Sequence, residues 1–349
     1  MNKKVTLSDI ARLAGVSKNT VSVVLRDLPG ISEPVRQKVL AASEQLHYPR
    51  AEQMRAKKVN YVLVLMRRNF FGQVTGASTV GMIPRLLTQF QVKAEERGWV
   101  VVIQCLEERD ESDQQPPSIL GEMQFKGIVT LGNMSAGYMR RLAACTLPLV
   151  TLHQHYDGLN VYSVTSDDVY AGYVMTRHLI KLGHTHIAYM GETHYMSKYM
   201  ERWLGYCRAM HEAGLPIMEN SYSTSMVERQ TEEDERGLIA NAFDNFEQLP
   251  TAIVCGEDFT ANRVMNQLSE MGLSVPGDVS LVGVDDVFND EGYMHNPANP
   301  DMRITTFRTD PAAIAGAAID MLNRADEVGP HRRVIYGHIV ERNSAQRIK

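Results

Sequence analysis

The segment TLSDIARLAGVSKNTVSVVLRD, residues 6–27, sets the architecture at the start of the chain, because it contains two short helical patterns around the turn AGVS. Thr6 and Asp9 have the spacing of a capping box, in which a hydroxyl and a carboxylate satisfy the first backbone N–H groups of a helix. Gly15 provides a helix stop, and Ser17 is placed to cap a second helix. The segment therefore predicts two helices joined by a tight turn.

The second predicted helix has two distinct sides. Its inner or near-inner side contains Thr20, Val21, Val24 and Leu25. Its outer side contains Lys18, Asn19, Ser22 and Val23. A third helix is expected from Ser32, with Pro34 in its first turn. Such a unit is typical of a helix-turn-helix, whose second helix can enter the DNA major groove; the alternative is a small helical bundle without a ligand.

Charge is distributed unevenly along the chain. Residues 1–58 carry 11 Lys and Arg against 5 Asp and Glu, and the remaining residues carry 25 against 36, although the whole chain has a net charge of only -5. A basic segment joined to an acidic body indicates that only the first part binds a polyanion. Phosphate contacts supply much of the affinity of such segments for double-stranded DNA.

Composition limits the class of protein. With 349 residues, 44% of them hydrophobic and 22% charged, the chain is expected to be globular and to exceed one ordinary core. No apolar run has the length of a membrane span, and no signal peptide is visible, so we expect a cytoplasmic protein that does not enter a membrane. The four cysteines form no CxxC pair, which favours free thiols in a reducing compartment.

The stretch VTLSDIARLAGVSKNTVSVVL, residues 5–25, closely resembles the start of LacI/GalR-type bacterial transcription regulators. The resemblance implies that Lys18 and Asn19 face base edges, and the chemistry agrees, because Asn pairs with adenine and Lys donates to guanine. Many members carry an arginine where this chain has Val23, which instead suits a thymine methyl. The expected DNA-binding residues are Thr6, Ser17, Lys18, Asn19, Thr20, Ser22, Val23, Arg26, Arg50, Met54 and Arg55.

The predicted hinge, residues 47–59, departs from the family pattern. Family members usually continue with a short helix that wedges a leucine into the minor groove, but here Tyr48 and Pro49 are adjacent and Arg50 replaces an asparagine. Met54 is the nearest apolar side chain that could unstack a base step. Alternatively, the basic residues simply follow the phosphates, and these are Arg50, Arg55, Lys57 and Lys58.

From residue 60 onward, buried-strand patterns alternate with helical ones. Strands are predicted at 60–66, 99–105, 127–132, 147–153, 186–191, 251–256 and 279–284, and glycines end the intervening helices. Alternation of this kind predicts parallel sheets covered by helices. The fold class is therefore multidomain: an all-α helix-turn-helix domain (1–46) is followed by a two-lobed α/β domain of the periplasmic-binding-protein type (60–349), which the resemblance implies.

The two lobes have predicted boundaries. The N-lobe is expected to comprise about 60–164 with part of 301–325, and the C-lobe about 165–296 with the C-terminal segment. A glycine-containing insertion at 72–84 is expected to form an irregular loop at the mouth of the cleft between the lobes. Ligands of open α/β sheets bind beyond the carboxyl ends of the strands. These ends carry Asn69, Phe70, Phe71, Asn133 and Asp285, although strand ends are also polar simply because loops meet water.

The resemblance adds Arg202 and Asp258 as effector contacts, since an arginine can bind hydroxyl pairs or a carboxylate and an aspartate can accept from sugar hydroxyls. Without it, Arg202 would be read as an exposed arginine paired with Glu201 or Glu212. His153 stands where many members carry an aspartate. The predicted effector is a small polar molecule resembling a sugar or nucleoside.

Metal and enzyme chemistry are less well supported. The histidine pairs 153/155 and 184/186 lack a third and fourth ligand in the sequence, so structural roles are favoured and no cofactor is expected. Walker A, GxGxxG, HExxH and GxSxG motifs are all missing. An α/β enzyme with an accessory helical domain and a transporter's solute receptor remain the alternatives. We expect a homodimeric repressor that binds operator DNA and a small-molecule effector.

Overall fold

The computed structural model describes residues 5–25, 30–46, 48, 60–67, 82–225, 232–287, 301–325, 327 and 329–348, and only the backbone of 232–235. The chain divides into two compact units, residues 1–60 and 61–349. Within the described ranges, no helix has the length and hydropathy needed to cross a membrane. The predicted hinge at 47–59 lies outside the described residues except for Tyr48.

The first unit contains helices α1 (Leu7–Ala14), α2 (Lys18–Val24) and α3 (Glu33–Gln45). The capping pair forms, because the Asp9 carboxylate accepts from both the backbone N–H and the hydroxyl of Thr6. Gly15 ends α1 with a φ of 68°, a left-handed conformation that glycine adopts without strain. Ser17 Oγ accepts from the backbone N–H of Thr20 at 3.0 Å and so caps α2.

A small apolar core holds these three helices together. Ile10, Val21, Val24 and Val39 are fully buried in it. Leu13 remains 45% exposed, although its spacing in the sequence would place it on the same stripe as Ile10. Ala11 packs in the core at this position of α1 instead, and its small side chain leaves room for the neighbouring helices.

The second unit contains two separate sheets. The first has the strand order β10-β5-β4-β3-β1-β2 and the second has the order β11-β9-β8-β7-β6. Their strands are β1 (Asn60–Arg67), β2 (Trp99–Leu106), β3 (Phe125–Leu131), β4 (Leu149–Leu152), β5 (Tyr162–Ser166), β6 (Ile187–Met190), β7 (Ala252–Cys255), β8 (Ser280–Val284), β9 (Thr305–Thr309), β10 (Arg332–Ile335) and β11 (Gly337–Val340). All seven predicted strands form, and β5, β9, β10 and β11 are additional.

Helices cover both sheets. They are α4 (Met82–Glu95), α5 (Glu108–Ser112), α6 (Ile119–Glu122), α7 (Ala136–Ala143), α8 (Asp168–Lys181), α9 (Ser197–Glu212), α10 (Glu232–Asp244), α11 (Asp258–Glu270) and α12 (Pro311–Asn323). The predicted C-terminal boundary of the irregular loop at 72–84 is wrong, because residues 82–84 already belong to α4. Residues 72–81 lie outside the described residues.

Three described connections join the lobes. The chain leaves the first sheet after β5, returns after β9 to place α12 in the core of the first lobe, and leaves again between β10 and β11. The first sheet therefore belongs to the N-lobe and the second to the C-lobe. The part of 301–325 that lies in the N-lobe is α12, since β9 belongs to the C-lobe sheet. One detail differs from the predicted division: β10, from the C-terminal segment, pairs with β5 of the N-lobe.

Candidate functional site

The outer side of α2 is the first candidate site. Lys18 and Asn19 are exposed at its first turn, and Ser22 and Val23 lie half-buried one turn later. Residues spaced three and four apart share one side of a helix, so these four side chains form a single surface opposite the buried Val21. This surface presents an ammonium, an amide, a hydroxyl and two methyl groups, the set of groups that reads base edges in a major groove.

The predicted DNA-binding residues divide into two groups in the structure. Thr6, Ser17 and Thr20 lie at the first turns of α1 and α2, where the two hydroxyls of Ser17 and Thr20 also contact each other at 2.8 Å. The half-buried Thr20 therefore helps to cap the N-terminus of α2. Outside the described residues lie Arg26, Arg50, Met54 and Arg55.

The second candidate site is a buried ion cluster at the carboxyl ends of the C-lobe strands. Arg202 of α9 is only 1% exposed. Its Nε donates to Asp168 Oδ1 at 2.7 Å, its Nη2 to Asp285 Oδ1 at 2.8 Å, and its Nη1 to the carbonyl oxygen of Gly256 at 2.7 Å. Arg202 therefore links the first residue of α8 to the loops that follow β7 and β8.

This geometry excludes the alternative of an exposed Arg202 paired with Glu201 or Glu212. Glu201 instead accepts two hydrogen bonds from Arg332, and Glu212 accepts from Arg208 and Tyr173. The sequence did not reveal the buried partners, because Asp168 and Asp285 lie 34 and 83 positions away from the arginine.

Electrostatics keep this cluster ionised. Burial alone would raise the pKa of Asp285, but the neighbouring Arg202 and Lys198 lower it to about 2. Burial likewise opposes the charge of Arg202, but the two carboxylates outweigh it and raise its pKa well above the ordinary value. A permanent cation thus lies between two anions in the interior, with its hydrogen-bond donors directed at the protein's own oxygens.

Asp258, the other predicted effector contact, is also buried, and both of its carboxylate oxygens accept hydrogen bonds from the protein. Its Oδ1 accepts from the hydroxyl of Thr306 at 2.7 Å and its Oδ2 from the backbone N–H of Val287 at 2.9 Å. A Cβ atom at Gly283 would lie 2.2 Å from Oδ1, so the glycine makes room for the carboxylate. Burial raises the pKa of Asp258 well above its ordinary value, although the hydrogen bond from Thr306 opposes this.

Replacing Asp258 with asparagine is expected to stabilise the protein increasingly as the pH rises. A carboxyl whose pKa is raised by folding stabilises the native state when protonated, and this contribution is lost as the pH rises above the ordinary value of 3.8 toward the raised one. Asparagine keeps an oxygen for Val287 and does not titrate. Urea unfolding between pH 5 and 8 measures the difference, with exposed Asp113→Asn as the control; a difference that shrinks as the pH rises would contradict the assignment.

Asn133 lies in a second junction, between the lobes. Its side-chain amide donates to the carbonyl oxygen of Tyr195, in the segment that precedes α9. In the same region Gln154, after β4, accepts from the backbone N–H of Ser197 at 2.8 Å. The structure therefore brings Asn133 to the start of the helix that carries Arg202. Asn69, Phe70 and Phe71 lie outside the described residues.

Backbone strain marks the same region. The described residues include four non-glycine residues with positive φ, and three of them follow β4 or β8: His153 (56°), Asp285 (100°) and Asp286 (50°). Such conformations cost of order 1–3 kcal/mol each and are concentrated at functional sites. Asp286 has a structural role as well, because it is fully buried and accepts from Arg308 and Arg342.

Sequence reasoning missed two side chains of the cluster. Asp168 has no distinguishing local signal in the sequence, although it begins α8 and accepts from both Ser166 and Arg202. Lys198 was also overlooked, although it lies four positions before Arg202 and hence one turn away on the same buried side of α9. A lysine on the inner side of an amphipathic helix is the signal that could have identified it.

The histidine pairs do not form a metal site in the described part of the chain, where no three His, Cys, Asp or Glu side chains converge on one point. His184 has a structural environment, because its two ring nitrogens lie 3.0 Å from Thr251 Oγ1 and from the carbonyl oxygen of Gln346. His153, by contrast, lies beside the ion cluster described above.

Comparison with known proteins finds relatives for both units of the chain. Residues 6–50 match the family model for bacterial regulatory proteins of the lacI family, and residues 176–345 match a periplasmic binding protein-like domain. The HTH-type transcriptional repressor PurR of Vibrio parahaemolyticus serotype O3:K6 is 27% identical over 81% of this chain and 82% of that protein. The regulator GalR of Salmonella typhimurium is 29% identical over 81% and 80%, respectively.

Solved structures show the same fold. The lac repressor dimer bound to operator and the anti-inducer ONPF superimposes with a TM-score of 0.65 at 22% identity, over 99% of this chain and 100% of that one. An identity this low supports the shared architecture alone. The helix-turn-helix unit and the two-sheet unit thus occur together, in the same order, in a chain of the same extent.

Proposed function

We propose that the chain is a transcriptional repressor controlled by a small polar effector, because residues 6–50 match the family model for bacterial regulatory proteins of the lacI family. The observation that carries the proposal is the outer side of α2, where Lys18 and Asn19 are exposed above a core that holds the helix rigidly. The excess of basic residues in 1–58 adds the electrostatic attraction to the phosphate backbone.

A dimer is part of the proposal, since one short helix contacts too few bases to specify an operator. Edge strand β2 offers a surface for self-association, because Val100 and Ile103 are 45% and 43% exposed there. The unpaired backbone edge of such a strand is typical of contact surfaces. Relatives of similar architecture include a dimer, the lac repressor on its operator.

Effector control is proposed to act through the three connections between the lobes. A ligand held near Arg202, Asn133 and Asp285 contacts groups from both lobes, so its binding favours one lobe arrangement over the other. Coupling between effector and operator sites is typically about 1–3 kcal/mol. We place the regulator in the cytoplasm, where the DNA is, and assign it no catalysis; turnover of a bound sugar by the purified protein would contradict this.

Asn19→Ala is expected to weaken operator binding by about 1–3 kcal/mol and to relax the preference at one base position. The operator is first selected from random duplexes with the full-length protein, and affinities are then measured by fluorescence anisotropy at fixed salt. Gln45→Ala, which removes an exposed amide from α3, is the matched control and should keep wild-type affinity and preference. An equal loss of affinity for all sequences would show that Asn19 does not read bases.

A further inference from the structure

Two buried side chains beside the Arg202 cluster have no hydrogen-bonding partner among the described residues. Lys198 is 7% exposed, and its ammonium lies 4.5 Å from the centre of the Tyr199 ring. No described carboxylate forms an ion pair with it. Lys198 attracts the nearby Asp285 carboxylate electrostatically but is not hydrogen-bonded to it among the described residues. An ammonium offers three hydrogen-bond donors. A cation–π contact satisfies only part of this requirement.

His153 is the second such side chain. It is 3% exposed, and neither Nδ1 nor Nε2 has a hydrogen-bond partner in the described ranges. Burial, with a smaller effect from nearby Lys198, lowers the pKa of His153 to about 3, so the ring is neutral and offers one N–H donor and one lone pair. Native proteins rarely leave buried polar groups without a hydrogen bond, so two unpaired nitrogens on one buried imidazole require an explanation.

The nearby carboxylates are already engaged. Arg202 takes both oxygens of Asp285, at 2.8 and 3.4 Å, and the oxygens of Asp168 accept from Arg202 and Ser166. A histidine at position 153 cannot supply the negative charge that an aspartate would supply there. The described part of the protein therefore supplies no hydrogen-bond acceptor for the Lys198 ammonium.

We propose that the effector carries an acidic group, a carboxylate or a phosphate, which is bound by Lys198 and His153. This inference rests on the proposed function, because it assigns the chemical class of the effector at that same site. Charge-assisted hydrogen bonds from an ammonium to an anionic oxygen are about twice as strong as neutral ones. A neutral hydroxyl could accept a hydrogen bond but would not form an ion pair with the ammonium.

Matched ligands test the charge requirement on the wild-type, full-length protein. The panel consists of glucose, glucuronate and glucose 6-phosphate, with the corresponding galactose and ribose series, and thermal unfolding reports binding to the native state. An acidic member should raise the unfolding temperature while its neutral parent does not, and the carboxylate and phosphate arms identify the acidic group. The inference is overturned if neutral sugars stabilise as well as acidic ones or if no acidic member has an effect.

Lys198→Met tests the residue, with exposed Lys181→Met as the control. The variant should lose about 10–100-fold in affinity for the acidic ligand, whereas the control keeps it. Without ligand, the unfolding temperature of Lys198→Met should equal or exceed that of wild type, since replacing a poorly paired buried charge by an apolar side chain is often stabilising. A variant that keeps the full preference for acidic ligands, or that is much less stable without them, would overturn the assignment.

Operator binding by the same wild-type preparation separates the two hypotheses. A neutral ligand that binds and changes operator affinity would leave the proposed regulator intact and overturn only the acidic effector. If the protein selects no DNA sequence, the proposed function itself fails, whatever the charge of the ligands that bind.

Discussion

Arg202→Ala is expected to lower the free energy of unfolding of the two-lobed unit by about 3–5 kcal/mol, the usual cost of breaking a buried ion pair by removing one partner. The substitution leaves Asp168 and Asp285 without their cation in the interior. It also removes the donor to the carbonyl oxygen of Gly256. Both tryptophans, Trp99 and Trp203, lie in this unit, so their fluorescence in a urea titration measures its unfolding.

Arg208→Ala provides the matched control for that measurement. Arg208 lies on the same helix but is exposed, and its partner Glu212 is four residues away on the surface. Exposed pairs of this kind contribute little to stability, so the urea midpoint of the control should stay at the wild-type value. Equal midpoints for Arg202→Ala and Arg208→Ala would refute the structural role of the buried cluster.

Arg202→Lys refines the interpretation. Lysine keeps the positive charge but lacks the planar fork that reaches three partners at once, so it should restore only part of the lost stability. All three nitrogen atoms of the Arg202 guanidinium already donate hydrogen bonds to the protein, which limits its ability to bind an effector. A ligand that contacts this arginine must compete with Asp285, and a lost response in Arg202→Ala would reflect unfolding unless stability is measured beside it.

Local signals allowed much of the architecture to be predicted. Caps and stops depend on a few neighbouring residues, and Gly98, Gly183 and Gly272 end α4, α8 and α11 with positive φ, as expected from the sequence. The continuous apolar runs of the central strands are equally local, because both faces of a parallel sheet are covered. These features need no knowledge of the rest of the chain.

The strands that escaped prediction lack such runs. β5 is fully buried but reads YSVTS, since Ser163 and Thr165 bond to neighbouring groups rather than to water. β10 and β11 lie at sheet edges and alternate only weakly. Their placement in different lobes depends on pairing with β5 and β9, which are distant in sequence. Long-range pairing of this kind leaves no local pattern.

The candidate site shows the same division. Arg202 and Asp258 were predicted only through the family resemblance, because a single arginine or aspartate in a helix has no local signature of burial. The partners that fix them come from other segments of the chain, such as Thr306 for Asp258. The sequence shows which side chains could take part in a site. Only the fold shows which hydrogen bonds they form, and those bonds determine their roles.

Gly172→Ala is expected to destabilise the two-lobed unit by about 3 kcal/mol or more, because α8 and α9 touch through their backbones at this position. A Cβ atom on Gly172 would lie 1.9 Å from the carbonyl oxygen of Arg202, and one on Gly205 would lie 2.1 Å from that of Val169. Overpacking a core typically costs 1–3 kcal/mol, and more where the obstacle is backbone that cannot rotate away. Separating the helices would also displace Arg202 from its carboxylates.

Gly316→Ala makes the same chemical change with the opposite expected sign. Gly316 lies inside α12, and a Cβ atom there would meet nothing within 4 Å. Alanine in a helix interior is more stable than glycine by about 0.5–1 kcal/mol, since the unfolded chain loses less freedom on folding. Urea unfolding of both variants compares the two effects directly. If Gly172→Ala proved as stable as Gly316→Ala, the close contact between α8 and α9 could not be present in the native protein.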